Sequence, residues 1–151
     1  MVADSAASKE RGLGPMLVIV ALLLCVGTPA WVFYRQWADP RTKAGMTEAA
    51  TAYLDALRDG DLPAAYRWVC ASEQEKYPLE QWSRYHDEPD IESYTITDVV
   101  IQDLTEAPAS YSVDADLRYA DGRTQLWHYV LYDESDGWRI CYETGISRPP
   151  A

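Results

Sequence analysis

The chain of 151 residues contains no asparagine, a single phenylalanine, two histidines and three cysteines. Without asparagine there is no acceptor for N-glycosylation. There is no CxxC pair, and His86 and His128 are far apart, so the spacing that builds a zinc site is missing; no metal and no cofactor is expected. A Gly-rich phosphate loop, a nucleophile elbow and an HExxH helix are also absent, which removes the motifs of nucleotide, serine-hydrolase and zincin chemistry. Asp133-Glu134-Ser135-Asp136-Gly137 has the composition of a calcium loop. It lacks the alternating acidic ligands and the closing Glu of an EF-hand, and it reads as a hairpin turn.

Positive charge is scarce, with 13 Lys and Arg against 24 Asp and Glu. Beyond Tyr34, once Asp4, Lys9, Glu10 and Arg11 are set aside, 22 acidic residues face 11 basic ones. A domain with that balance is repelled by nucleic acid and by anionic headgroups, so nucleic acid is excluded as a partner. No run of five like charges marks an interaction tail, and the plainer reading is a solvated acidic surface.

What is present is a stretch without any charge, Gly12–Tyr34, with Met16–Val26 almost wholly apolar. A helix needs about 20 such residues to cross the hydrocarbon core. The sequence predicts a single-pass anchor at 12–34, with Trp31, Tyr34 and Trp37 as an interfacial aromatic belt and Arg35 at the headgroups. The alternative is a cleaved signal peptide, with Lys9 and Arg11 as its basic region and Thr28-Pro29-Ala30 as the cut site. Trp31-Val32-Phe33-Tyr34 carries the apolar run past that cut and favours the anchor. The lipid bilayer is then the first partner. Basic residues on either side of the span favour N-out by count, but the signal-like order of basic tail and apolar run favours the opposite. The expected layout is a cytoplasmic tail at 1–11, the span, a juxtamembrane linker at 35–45 containing Pro40 and Gly45, an extracytoplasmic domain at 46–145 and a disordered tail at 146–151.

Cys25 lies in the span and reads as a buried apolar residue. Cys70 and Cys141 fall in the domain placed outside, where disulfides persist, and are expected to pair. Closing so long a loop stabilises a fold by roughly 4 kcal/mol in the chain-entropy model. In a cytosolic domain the same residues would be two buried free thiols.

The first half of the domain reads as helical. Thr47 caps and Glu48 suits the positive end of the helix dipole. Ala50, Tyr53, Leu54 and Leu57 then follow the i, i+3, i+4, i+7 rule. Gly60 ends that helix and Asp61 caps a second, with Pro63 in its first turn and Tyr66, Val69 and Cys70 on its face. A third helix around Pro78–Tyr85 presents Leu79, Trp82 and Tyr85, and His86–Asp90 reads as a solvated loop. The second half reads as strands: Tyr94–Leu104, an alternating run from Tyr111 to Tyr119, then Gln125–Tyr132 and Trp138–Glu143. Asp121-Gly122 marks a hairpin between the second and third, and the third, apolar on both faces, belongs inside the sheet. The fold class is α+β, with about three helices packed on an antiparallel sheet of about four strands.

The order of these features is similar to a known family. A single N-terminal span is followed by a helix ending in Arg58-Asp59-Gly60-Asp61, a second with Ala64-Ala65-Tyr66, then Cys70. A sheet follows and closes on Gly137-Trp138-Arg139-Ile140-Cys141. This resembles the membrane-anchored, extracytoplasmic bacterial proteins of the nuclear-transport-factor-2-like superfamily, over roughly Met46–Glu143. The resemblance implies a cystatin-like cone, a bent sheet wrapped around a long helix. Most members of that membrane-anchored group have no assigned activity. Enzymes of the superfamily, such as ketosteroid isomerases and epoxide hydrolases, use Asp, Tyr or His inside the cone. No position here matches such a catalytic motif.

The residues that offer themselves to a cone pocket are Tyr53, Trp127, His128 and Tyr129, with Asp116 a further carboxylate. His128 is the most suggestive, because Leu126, Val130 and Tyr132 share its side of the strand and an apolar setting tunes a histidine for acid–base work. The plainer reading is a satisfied core or rim histidine. Asp114 and Asp116 share a polar face with Ser112 and Arg118 and read as a solvated or salt-bridged row. The leading expectation is therefore a non-catalytic binding or accessory module held outside the membrane, meeting an envelope or membrane protein, with a homo-oligomer also open. The alternative is a small-molecule-binding or isomerase- or hydrolase-like enzyme using the pocket, or a secreted form of the same domain. An open cavity with His128 pointing in would favour the pocket.

Overall fold

A computed structural model describes residues 39–86, 90–102 and 108–146. The expected span, its interfacial residues Trp31, Tyr34, Arg35 and Trp37, and the tail beyond Ile146 lie outside them. Among the described residues no helix is long and apolar enough to cross a membrane.

Four helices precede a four-stranded sheet in the described chain. Helix α1 covers residues 39–58, α2 Leu62–Tyr66, α3 Ala71–Lys76 and α4 Leu79–Tyr85. Strands β1 Ile91–Gln102, β2 Ser110–Tyr119, β3 Thr124–Glu134 and β4 Gly137–Ile146 form one antiparallel meander in the order β1-β2-β3-β4. The class is α+β, with the core between α1 and one face of a curved sheet.

Helix α1 buries Met46, Ala49, Ala50, Tyr53 and Leu54, a stripe at helical spacing. It already contains residues 39–45, where a linker was expected. Thr47, read as its cap, sits inside it and donates its hydroxyl to the Lys43 carbonyl at 2.8 Å, the back-bond that lets Thr sit within a helix. Gly45 is there for room rather than flexibility, because a Cβ on it would fall 2.8 Å from Trp138 Cδ1. The helix ends as read. Gly60 takes φ +72°, its N–H bonds Leu57 O and the Asp61 N–H bonds Ala56 O. That is the Schellman pair that satisfies the last carbonyls. Asp61 then caps α2, accepting from Ala64 N at 2.9 Å.

Helix α2 stops at Tyr66, short of Val69 and Cys70, which were expected on its face. The chain turns instead so that Val69 makes a parallel bridge to Ile140 of β4. Cys70 N donates to Ile140 O at 2.9 Å, and Ile140 N to Trp68 O at 2.8 Å. Backbone pairing with the sheet outcompetes another helical turn here, and the unforeseen α3 starts only after Cys70. Cys70 and Cys141 are joined as a disulfide across Cα atoms 5.1 Å apart, closing a sequence separation of 71.

The face of the sheet toward α1 is lined by Val113, Ala115, Leu117 and Tyr119 of β2, Tyr129 and Leu131 of β3 and Ile140 of β4, all buried. Register shifts in β1 at Ile91/Ser93 and Ile96/Asp98, and between β3 and β4 at Val130/Leu131, break the ladders. Such bulges bend a sheet and raise its twist, which lets it follow the helix. β1 is tied to α1 by the Tyr94 hydroxyl, which donates to Asp55 Oδ1 at 2.8 Å. Burial and that carboxylate push the Tyr94 phenol up to about 12.

Candidate functional site

The shift at Val130/Leu131 decides the site. Strict alternation from buried Ile140 would send Tyr142 inward and Glu143 outward. The extra residue reverses the phase, so Tyr142 is 65% exposed while Glu143, paired with Tyr129 across the ladder, turns toward the helices. A carboxylate is thereby delivered into the aromatic end of the core.

Two donors meet it. The Tyr53 hydroxyl, from α1, donates to Glu143 Oε2 at 3.0 Å. His86, at the end of α4, puts Nε2 against Glu143 Oε1. Its other nitrogen, Nδ1, lies 2.9 Å from the Trp82 carbonyl oxygen, and its ring stacks on Trp82 with centroids 3.8 Å apart. The His86 side chain is 14% exposed and that of Glu143 23%. Both imidazole nitrogens thus face oxygen atoms, and the doubly protonated ring beside an ionised Glu143 satisfies both. Burial alone lowers the His86 pKa, but the hydrogen bond and charge of Glu143, with the Trp82 carbonyl, outweigh it and hold the ring above the ordinary histidine value. Burial first, then the Glu143 charge, raises Tyr53 and Tyr129 well above the usual phenol value, so Tyr53 remains a donor.

Aromatic rings surround this cluster. Tyr53 meets Tyr129 edge-on at 5.9 Å and Trp82 at 6.4 Å. Trp127 lies nearly parallel to Tyr129 at 6.3 Å and donates its indole N–H to the Tyr119 hydroxyl at 2.9 Å. Tyr85, His86 and Glu143 form a wall common to two cavities. The first, of about 330 Å³, runs along Tyr77, Trp82, Ile140 and Tyr142. The second, of about 360 Å³, opens between Leu57 and Leu62 on the helical side and Ile91, Leu117 and Trp127 on the sheet side. Cavities of this size with few convergent polar groups suit a small ligand.

Of the residues the sequence offered, Tyr53, Trp127 and Tyr129 come together here, on the helix-facing side. His128 does not join them. It is an even-numbered neighbour of Tyr129 and Trp127, so the pleat turns it to the other face of the sheet, where Nδ1 lies 2.6 Å from Asp114 Oδ1. Asp114 and Asp116 lie on that open face, as the alternation in β2 required. Leu126 and Val130 beside His128 make an apolar strip on that open face, not a pocket wall.

His86 and Glu143 were not foreseen. His86 sits one helical turn after Trp82, at the i, i+4 spacing of side chains that meet, and that spacing is the one signal that could have moved it out of the loop. Glu143 had no such signal, because a bulge is invisible to alternation.

A second cluster has the donor types of a metal centre. The sulfurs of Cys70 and Cys141 and a Glu134 carboxylate oxygen lie within 4.8 Å of one another. The bond between the sulfurs consumes both thiolates, and Glu134 Oε1 accepts from Ala71 N at 3.1 Å, so this reads as a structural clamp. No protein-family model and no curated protein matches this sequence.

Proposed function

We propose that this chain is a single-pass membrane protein, N-terminus inside, holding a small acidic domain of the nuclear-transport-factor-2-like, cystatin-like cone type on the outer side. The domain is a binding module that takes a small ligand in the second cavity, against Tyr85, His86 and Glu143, and does no chemistry on it. The uncharged stretch 12–34 supports the anchor, and the disulfide supports an oxidising compartment. A long helix held against a bent antiparallel meander supports the cone.

One observation carries the choice of binding over catalysis: the acid–base groups at the cavity wall satisfy one another. Glu143 accepts from Tyr53 on one oxygen and meets His86 on the other, and His86 spends its second nitrogen on a carbonyl. A general base needs an atom directed at the proton it will take. This cluster instead offers a rigid, aromatic wall.

The test is a fragment screen by ligand-observed NMR on the full chain in detergent micelles. Leu62→Trp, which fills the second cavity, should abolish binding, and His128→Ala, on the far face, should leave it intact. Fragments that bind Leu62→Trp as well as the parent chain would refute the site, and turnover of a bound compound would restore the isomerase- or hydrolase-like reading. Protease reaching the domain in whole cells checks the topology.

A further inference from the structure

The second cavity has a charge character that its apolar walls hide. Its boundary includes two carboxylates, Asp90 and Glu143, and four aromatic rings, Tyr85, Tyr119, Trp127 and Tyr129, but among the described residues no lysine or arginine. Among the described residues on that boundary His86 alone can carry positive charge near neutrality, and it is spent on Glu143 Oε1. Among the described lining residues none supplies such a counter-charge on the Asp90 side. Its backbone is held by the hydrogen bond from Ala120 N to Asp90 O at 2.9 Å, and the residue lines the cavity. At the base, Trp127 and Tyr129 lie within 19° of parallel, one continuous aromatic surface. The rings already attract cations where the chain supplies one, since the Arg123 guanidinium carbon lies 5.1 Å from the centre of Tyr119. Aromatic faces and carboxylates in a recess walled by apolar side chains favour positive charge, and low-dielectric walls focus that field.

We propose that this cavity takes a small organic cation, an ammonium group carried on an apolar body, with the body between Leu57, Leu62 and Trp127 and the charge toward Asp90 and the aromatic base. This inference rests on the reading of the cavity as a ligand site. An organic anion is disfavoured by the Asp90 carboxylate. A neutral apolar ligand would fill the walls and leave the charge arrangement unused.

Three probes of nearly equal size separate these classes: benzylammonium, benzyl alcohol and benzoate, titrated at pH 7 against the full chain in detergent micelles. Benzylammonium should bind about tenfold more tightly than benzyl alcohol, and benzoate most weakly. Asp90→Asn should shrink the preference for the cation about threefold while leaving the alcohol unchanged. Trp127→Leu should weaken the cation by about threefold to tenfold, the range of one partly desolvated cation–π contact. Benzyl alcohol binding as tightly as the cation, and lost in Leu62→Trp, would overturn the cation and leave the cavity standing. A preference for the cation that survives both Asp90→Asn and Trp127→Leu would place the charge recognition elsewhere and overturn the assignment. If none of the probes binds and the fragment screen is also empty, the cation and the cavity reading fall together.

Discussion

The described residues hold two histidine–carboxylate pairs, one on each face of the same sheet, and they differ in everything but chemistry. His86 and Glu143 sit on the helix-covered face, with side chains 14% and 23% exposed, and a tyrosine and a tryptophan complete their bonding. His128 and Asp114 sit on the open face, at 38% and 28%, as a single contact 2.6 Å long. The pairs teach that ion-pair identity says little about role. What counts is how many partners each atom has and how much water is excluded, since exposed pairs contribute little and buried, multiply bonded ones are costly to disturb.

The sharpest way to break this contrast is to unclamp the covered face. Replacing Cys70 and Cys141 by alanine should destabilise the fold by about 4 kcal/mol, read by chemical denaturation. A loss below about 1 kcal/mol would mean that the bridge to Ile140 holds β4 without it. Adjacent residues of β3 give the next contrast. Leu131→Ala, on the covered face, should cost about 3 kcal/mol through lost burial and a cavity. Val130→Ala, its neighbour on the open face, should cost less than about 1 kcal/mol. Similar values for the two would contradict the assignment of faces.

Tyr53→Phe removes the donor to Glu143 Oε2 while keeping the ring, and should cost about 2 kcal/mol. His86 can be tested by pH. The folded-state pKa of His86 is raised, so its pairing stabilises fully below the unfolded value of about 6.5 and is lost as pH rises through the higher folded value. His86→Gln should therefore flatten the fall in stability as pH rises above about 6.5. A slope that survives His86→Gln unchanged would contradict the pairing assigned to His86. At pH 7 the smallest effect belongs to His128→Gln, within about 0.5 kcal/mol of the parent chain, the range of an ordinary surface substitution.

Much of the architecture was legible because periodicity and caps are local. The stripe Ala50, Tyr53, Leu54 and Leu57, the stop at Gly60, the cap at Asp61 and the alternation from Tyr111 to Tyr119 all appear where the residues put them. The pairing of Cys70 with Cys141 was legible from compartment logic. The failures share a different cause: each depends on a contact distant in sequence. Gly45 read as linker because Trp138, which needs its space, is on the last strand. Val69 left the helical pattern because Ile140 offers it a ladder. His128 looked like the pocket histidine because apolar neighbours at i±2 do not say which face of a sheet is covered. His86 looked solvated because the carboxylate that holds it arrives from β4, turned inward by a bulge.

The short bridge between Val69 and Ile140 has a consequence for the company this protein keeps. A meander has two outer strands, and each is a template onto which a foreign chain can zip. On the β4 side the Trp68–Cys70 segment already occupies the middle of that template, and the disulfide staples it in place. The opposite border, β1, has no such guard in the described chain and relies on charges such as Glu92 and Asp98. Reduction would therefore do more than loosen the fold: it would uncover a second sticky margin, and oxidised protein should stay dispersed under conditions where reduced protein assembles into fibrils.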